Sequence, residues 1–279
     1  MNLVLVTGAQ GNVGREVVRA CTTAGFDVRS GVLKPAMPNE VRLDFTDPGS
    51  WGASLAGVDF VFLLRPPELG DMATTLNVFV DAAVAAETQH IVFLSVAGAE
   101  TKSWVPHRKV EDHLRLTEGR WTVLRPGFFA QNLGDAYRRD IVEDDRLYVP
   151  AGQGRVAFLD VADVGDVTAH VFLAPKRFRR QAVRLAGPEA MSFGELARRL
   201  SAVLGRPIRY EPASVFGYLW HLWRRRGMSW MQTFVITVLH VGLRSGEAAD
   251  VDDRQFGLLG RGASPVDDFL ARSRHLWAR

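Results

Sequence analysis

With 279 residues and 47% hydrophobic content, the chain can bury a sizeable core, enough for one large domain or one domain plus an appendage. Charged residues make up 23%, and 34 Lys+Arg against 31 Asp+Glu leave a formal net charge of only +3, which implies no nucleic-acid partner. A single cysteine, Cys21, excludes internal disulfides and suits a reducing compartment, and the apolar start at residues 3–6 is too short for a signal-peptide core, so a cytoplasmic location is expected.

In chain order, short β-branched runs alternate with helical patterns, the signature of βα units that build a parallel sheet. Strands are predicted at residues 3–6, 27–33, 60–64, 91–95 and 122–125, mostly continuous apolar runs as expected where both faces are covered. The first helix shows Val13, Val17, Val18, Cys21 and Ala24 on one stripe and ends at Gly25, where a left-handed cap fits. A second helix is predicted over 72–86. After Pro126 the pattern loosens, with glycines at 127, 134, 152 and 154, so a first domain over 1–126 is expected, with a smaller, interleaved lobe over 127–279. That lobe should contain a short unit at 160–173, a strand at 182–185, a helix at 192–204 with Phe193, Leu196, Ala197, Leu200 and Val203 at helical spacing, and a strand at 208–210 after Gly205.

Residues 215–241 are rich in large apolar side chains: Phe216, Trp220, Trp223, Trp230, Met231 and Phe234 among them. The stretch 230–241 is broken by Gln232, Thr233, Thr237 and His240 and is far shorter than the ~20 residues needed to span a bilayer, so a buried or lid helix and no membrane partner are expected. Positions 215, 219, 222 and 230, 234, 238, 241 share helical faces and read as core, as a wall for a flat apolar substrate, or as a homodimer contact. Arg224, Arg225 and Arg226 read as a solvated helix end.

The run Thr7-Gly8-Ala9-Gln10-Gly11-Asn12-Val13-Gly14 follows a strand and opens a helix. A tight turn there exposes backbone N–H groups and aims a helix N-terminus at a pyrophosphate, which predicts a bound dinucleotide. NAD-specific sites place a carboxylate at the end of the second strand for the ribose 2′-hydroxyl; here residues 31–34 are Gly-Val-Leu-Lys. Lys34 and Arg15 could instead neutralise a 2′-phosphate, so NADP(H) is favoured over NAD(H).

Together with Asp44-Phe45, Phe93-Leu94-Ser95, His107 with Glu111, Leu124-Arg125-Pro126-Gly127-Phe128-Phe129 with Asn132, Asp160 to Val164 and Leu185 to Pro188, this motif resembles the NmrA-like group of atypical short-chain dehydrogenases/reductases. The resemblance implies an α/β, Rossmann-type doubly wound parallel sheet with a smaller C-terminal α/β lobe that roofs an apolar small-molecule substrate. It places Gly8, Gln10, Gly11, Asn12, Val13, Gly14, Arg15 and Lys34 on the cofactor, Asp44 and Phe45 after a third strand beside adenine, and Leu64, Arg65, Ser95, Val96, Ala97, Pro126, Gly127, Phe128 and Phe129 along the rest of it. Ordinary short-chain dehydrogenases carry Tyr-x-x-x-Lys, but none of Tyr137, Tyr148, Tyr210 or Tyr218 has a lysine four residues on, and Ser103 and His107 stand in those positions.

His107 and Glu111, four residues apart on one predicted helix, are the candidate catalytic pair, with the carboxylate orienting an imidazole that acts as general acid. No histidine spacing suits a metal and no G-x-S-x-G elbow is present. The expected function is an NADPH-dependent reductase delivering hydride to an electrophilic carbon of a quinone, enone or iminium. The competing reading is a non-catalytic protein that senses NADP(H).

Overall fold

The computed structural model describes residues 2–117, 120–251 and 261–279. The chain begins with β1 (Leu3–Thr7), α1 (Asn12–Thr23), β2 (Asp27–Val32), β3 (Glu40–Arg42), α2 (Trp51–Leu55), β4 (Phe60–Leu64), α3 (Leu76–Ala85), β5 (His90–Leu94), α4 (Pro106–Leu116) and β6 (Trp121–Pro126). It continues through α5 (Arg138–Asp144), β7 (Arg146–Val149), β8 (Arg155–Ala157), α6 (Val161–Leu173) and β9 (Gln181–Leu185). It closes with β10 (Ala190–Ser192), α7 (Phe193–Leu204), β11 (Arg209–Pro212), α8 (Val215–Trp220), α9 (Trp230–Gly242) and α10 (Val266–Arg272). Two compact units result: residues 1–126, 161–185 and 254–261 form the first, and 127–160, 186–253 and 262–279 the second.

The first unit is a Rossmann-type fold, a seven-stranded parallel sheet in the order β3-β2-β1-β4-β5-β6-β9 with helices on both faces. Its central strands are buried along their length, which is why Val4 to Val6, Phe60 to Leu63 and Ile91 to Leu94 read as unbroken apolar runs. The edge strand β3 lacks that signal: Glu40-Val41-Arg42 is short, polar and only partly covered, and only the family pattern points to it. The other edge is β9, paired with β6 from Thr122–Gln181 to Pro126–Leu185, so this strand completes the first sheet rather than belonging to the later lobe. Helix α3 starts at Leu76, four residues later than the predicted 72, because the Asp71 carboxylate accepts bonds from the Ala73 N–H (3.0 Å) and the Thr74 hydroxyl (2.8 Å) and holds a turn there.

Helices α1 and α6 pack side by side on the same unit. The stripe Val13, Val17 and Cys21 is buried as the spacing predicts, and Gly25 takes φ +87° just past the helix end. Gly165 of α6 makes the approach close: a Cβ there would lie 2.5 Å from the Glu16 carbonyl oxygen of α1. Below them Phe172 stacks on Phe60 with centroids 5.0 Å apart, and Phe26 meets Phe60 edge-on at 5.7 Å.

The second unit surrounds a separate core that includes Tyr137, Phe158, Phe193, Leu196, Leu200, Phe269 and Trp277. Ser192 caps α7 in a reciprocal box with Glu195, and Gly205 ends it at φ +67°. Strand β11 pairs in parallel with β7, one residue beyond the predicted 208. Trp277 is fully buried, and its indole N–H donates to the Leu133 carbonyl at 2.8 Å.

Of the buried or lid helix expected at 230–241, α9 departs from the buried alternative. Its inward residues are Thr233, Thr237 and His240, while Trp230, Met231, Phe234, Val235, Val238 and Leu239 are exposed. No described helix is long and apolar enough to cross a membrane.

Because the space over Gly165 is filled by backbone rather than by a movable side chain, Gly165→Val should force α1 and α6 apart. The expected cost is about 3 kcal/mol, read as a fall in Tm of roughly 6–12 °C by calorimetry. An unchanged Tm would show that the two helices can separate freely.

Candidate functional site

The site residues of the first unit gather at the carboxyl ends of β1, β2, β4, β5 and β6. The strand order turns back between β1 and β4, where open α/β sheets bind their ligands. The Thr7 hydroxyl accepts a bond from the Leu64 N–H at 2.8 Å and ties those two strand ends together. Gly8 then turns the chain at φ +63°, and the Gly11 N–H donates to the Gly8 carbonyl at 3.0 Å.

Two glycines of this loop do different work. A Cβ on Gly14 would sit 2.1 Å from the Gly8 carbonyl oxygen and 2.7 Å from Ala9 Cα, so only glycine lets α1 start against the loop. A Cβ on Gly11 would meet only the Gly8 carbonyl oxygen, at 3.4 Å, and otherwise enters open space. The N-cap Gly11 has no side chain to cap the first turn of α1, whose N–H groups precede the first intrahelical bond, from Arg15 N–H to the Gly11 carbonyl. A helix N-terminus that opens on a glycine, with only the Gly8 carbonyl oxygen near that glycine among the described residues, fits the pyrophosphate of a dinucleotide. Val13 is buried beneath, Arg15 is exposed with its guanidinium on Asn12 Oδ1 (2.7 Å), and the Gln10 amide donates to Glu40 Oε1 (3.1 Å).

Glu40 had no sequence signal beyond being a lone acid, yet it organises the neighbouring loop. Its carboxylate accepts the Ala36 and Met37 N–H groups at 2.7 and 3.0 Å, and those bonds with Gln10 hold its pKa below the ordinary carboxylate range. Lys34 is exposed on that loop at the end of β2. Asp44 turns its carboxylate onto the Thr46 N–H (2.9 Å) and hydroxyl, and these bonds lower its pKa. The Phe45 ring is committed to the core, edge-on to Phe79 with centroids 5.1 Å apart.

Leu64 lies against the loop, its Cδ2 3.2 Å from where a Gly8 Cβ would be. Next to it, Arg65 donates to the carbonyls of Pro66 (2.9 Å), Pro67 (3.2 Å) and Leu69 (2.5 Å), while its Nε is buried without a partner. The ends of β5 and β6 are joined by the Ala97 N–H donating to the Pro126 carbonyl at 3.0 Å, with the partly buried Val96 between Ser95 and Ala97.

Glu111 does not orient His107. Its fully buried carboxylate accepts from the Ser95 hydroxyl (2.6 Å), from Arg125 Nε and Nη2 (3.0 and 2.5 Å), and from Arg115 (3.1 Å). Burial alone would raise its pKa, but the hydrogen bonds of Arg125 and Ser95 and the charges of Arg125 and Arg115 outweigh that and hold it below the ordinary value. Ser95 is likewise spent on this strut rather than open to a ligand. The residue the sequence left without a role is Arg125, which anchors the network from β6.

His107 sits on the same helix with its ring 6.1 Å from Phe93 and its Nδ1 buried without a partner. Burial, reinforced by the Arg65 charge and only partly opposed by Glu111, pushes its pKa down to about 4. The imidazole is therefore neutral near pH 7 and does not supply an imidazolium proton there. Ser103 is exposed.

Gly127, Phe128 and Phe129 belong to the second unit. The Phe128 carbonyl accepts the Leu159 N–H at 2.8 Å, Phe129 bridges to Leu159, and the Phe128 ring lies edge-on to Phe158 and His240. Among the described residues no cluster of three or more His, Cys, Asp or Glu side chains is placed to hold a metal.

The profile of the NmrA-like family matches residues 1–222. The chain belongs to that family. Among its relatives, an NAD(P)H azoreductase of Xenophilus azovorans is 33% identical over 222 residues, covering 75% of this chain and 76% of that protein. The prestalk A differentiation protein A of Dictyostelium discoideum is 30% identical over 219 residues, covering 75% and 71%. The fold is shared with an NADPH-dependent quinone oxidoreductase from Escherichia coli, solved with NADPH, at a TM-score of 0.84 and 22% identity over 99% of this chain and 100% of that one.

Glu111→Gln should remove the charge that Arg125 and Arg115 compensate and cost about 3 kcal/mol at neutral pH. Because the folded pKa of Glu111 is depressed, its contribution is present above the ordinary carboxylate range and lost as pH falls through the folded value. Chemical denaturation should therefore show the wild type and variant converging in acid; a constant gap would reject the ion pair as the cause.

For His107, NMR should place the imidazole titration near pH 4, well below 6.5. The unfolded imidazole takes up its proton near 6.5 and the folded one does not, so His107 favours unfolding as pH falls from about 6.5 to 4. A titration midpoint near 6.5 would overturn the burial argument.

Proposed function

We propose that this chain is an NAD(P)H-dependent reductase acting on an apolar small molecule with an electrophilic carbon, such as a quinone, enone or iminium. The observation that carries the reading is the Gly8 to Gly14 loop: a helix N-terminus that starts on a glycine, no close contact over Gly11 among the described residues and backbone contact at Gly14, at the turning point of the sheet. Membership of the NmrA-like family and 33% identity to an NAD(P)H azoreductase support the redox class.

When bound, the reduced nicotinamide supplies the hydride. The chain's own residues bind and position. The loop Gly8 to Gly14 holds the pyrophosphate, Leu64 and Arg65 line the β4 end, and the Glu111–Arg125–Ser95 strut fixes the β5 and β6 ends that carry Val96, Ala97 and Pro126. NADP(H) is favoured over NAD(H) because residues 31–34 carry no carboxylate, and Lys34 is exposed at the end of β2 to meet a 2′-phosphate.

Acid catalysis is a small part of this reading. Neutral His107 can donate or accept a hydrogen bond near its neighbours Phe93 and Arg65, but the proton is delivered from solvent. Quinones, enones and iminium ions need little acid assistance, so positioning and cofactor chemistry carry the rate.

NADPH oxidation against a panel of quinones, enones and imines tests the proposal; saturable nucleotide binding with no acceptor reduced would favour a nucleotide-sensing protein instead. Gly11→Val should abolish NADPH binding in calorimetry while leaving Tm nearly unchanged, since its Cβ would make only an ordinary contact with the Gly8 carbonyl oxygen at 3.4 Å. Lys34→Ala should weaken NADPH more than NADH by about 1–3 kcal/mol, whereas equal losses would reject the 2′-phosphate contact.

A further inference from the structure

The outward face of α8 and α9 is the largest feature that the reductase reading does not use. Phe216 is 85% exposed, Met231 70% and Trp230 62%, and Trp220, Trp223, Phe234, Val235, Val238 and Leu239 are also exposed. Trp223, in the helical turn His221–Arg225 that continues α8, touches Trp230 at the start of α9 edge-on with centroids 6.5 Å apart, which joins the two segments into one patch. The patch amounts to roughly 1,000 Å² of apolar surface, above the few hundred typical of a soluble monomer.

The orientation of α9 is fixed by a polar bond that leaves the helix on its inner face. The His240 Nδ1–H donates within α9 to the Ile236 carbonyl (2.7 Å), which leaves Nε2 to accept from the buried Tyr137 hydroxyl. Rolling the helix to bury Trp230 and Phe234 would strand Tyr137 and His240 without partners. The apolar face therefore stays outward and needs an external cover.

Charge selects among possible covers. No Asp or Glu occurs between Pro212 and Gly246, while Arg224, Arg225, Arg226 and Arg244 do. Asp144 offsets Arg225 (3.2 Å) and Asp140 offsets Arg226 (2.5 Å). Arg224 instead lies over the Trp223 ring at 5.0 Å and forms no ion pair among the described residues. In a two-fold dimer through this patch, equivalent cations would be brought toward one another. Exposed tryptophans within an apolar face, with an arginine stacked on one of them and without an ion pair among the described residues, match the boundary between headgroups and acyl chains of an anionic bilayer.

We propose that the α8–α9 face docks peripherally on an anionic phospholipid surface, with Trp220, Trp223, Trp230 and Phe234 at the acyl boundary and Arg224 on lipid phosphate. The expectation of no membrane partner rested on the lack of a spanning segment, which peripheral docking does not require. The inference is independent of the reaction catalysed.

The test is co-sedimentation of the full chain with vesicles of phosphatidylcholine alone or with about a third phosphatidylglycerol, at low and physiological salt. The protein should pellet with the anionic vesicles and bind them at least roughly tenfold more tightly than neutral ones, with salt weakening the preference. Arg224→Glu should erase that preference, and Trp220→Ser combined with Trp230→Ser should weaken binding to both vesicles by roughly tenfold or more. These side chains are exposed, so circular dichroism and Tm should not change. Protein remaining in the supernatant with both vesicles, or an Arg224→Glu variant that keeps the anionic preference, would overturn the proposal. So would a concentration-dependent dimer in sedimentation equilibrium that Trp230→Ser dissolves, because the cover would then be a second copy.

Discussion

The candidate site depends on backbone meeting backbone at Gly14. Helix α1 begins so close to the end of β1 that no side chain fits between Gly14 and the Gly8 carbonyl. On its other side the same helix is met by Gly165 of α6, again without room for a Cβ over Glu16. The helix is thus set by steric limits on two sides rather than by adaptable side chains, and steric limits are steep. The direction of its N-terminus, an anion-attracting feature of the site, is inherited from these contacts.

A second constraint is electrostatic and lies across the sheet from the first. Glu111 carries the compensating charge for Arg125 inside the protein and takes the Ser95 hydroxyl as well, so three strand and helix ends share one buried carboxylate. His107 is left with hydrophobic surroundings and a nearby arginine, which together keep it uncharged. Two residues that the sequence pairs as machinery are divided by their surroundings into a strut and a neutral ring.

The core of the first unit was legible because burial on both faces writes itself as continuous apolar strands, and because the glycine spacing has one steric meaning between a strand and a helix. Edges were harder. Residues 40–42 are too short and polar to stand out, and 181–185 look like any strand until the β6 partner is known. The i, i+4 spacing of His107 and Glu111 correctly put both on α4, but spacing cannot weigh that contact against Arg125, fourteen residues away from Glu111. Helix α9 shows the same limit in another form. Periodicity identified the face formed by Trp230, Phe234 and Val238, and only the bond between His240 and Tyr137 shows that this face points outward.

The buried Trp277 bears on how the molecule is made. The second unit draws its core from three separated stretches, and the last of them supplies Phe269 and Trp277. During synthesis that core must wait as an unfinished shell, with Leu133 and its neighbours uncovered, until residue 277 has left the ribosome. Most of the first unit, complete to β6 by residue 126, has by then had the time of more than half the chain in which to form. The order of biogenesis is therefore written into the fold: the glycine loop matures early, and the second unit closes only after residue 277 has been made.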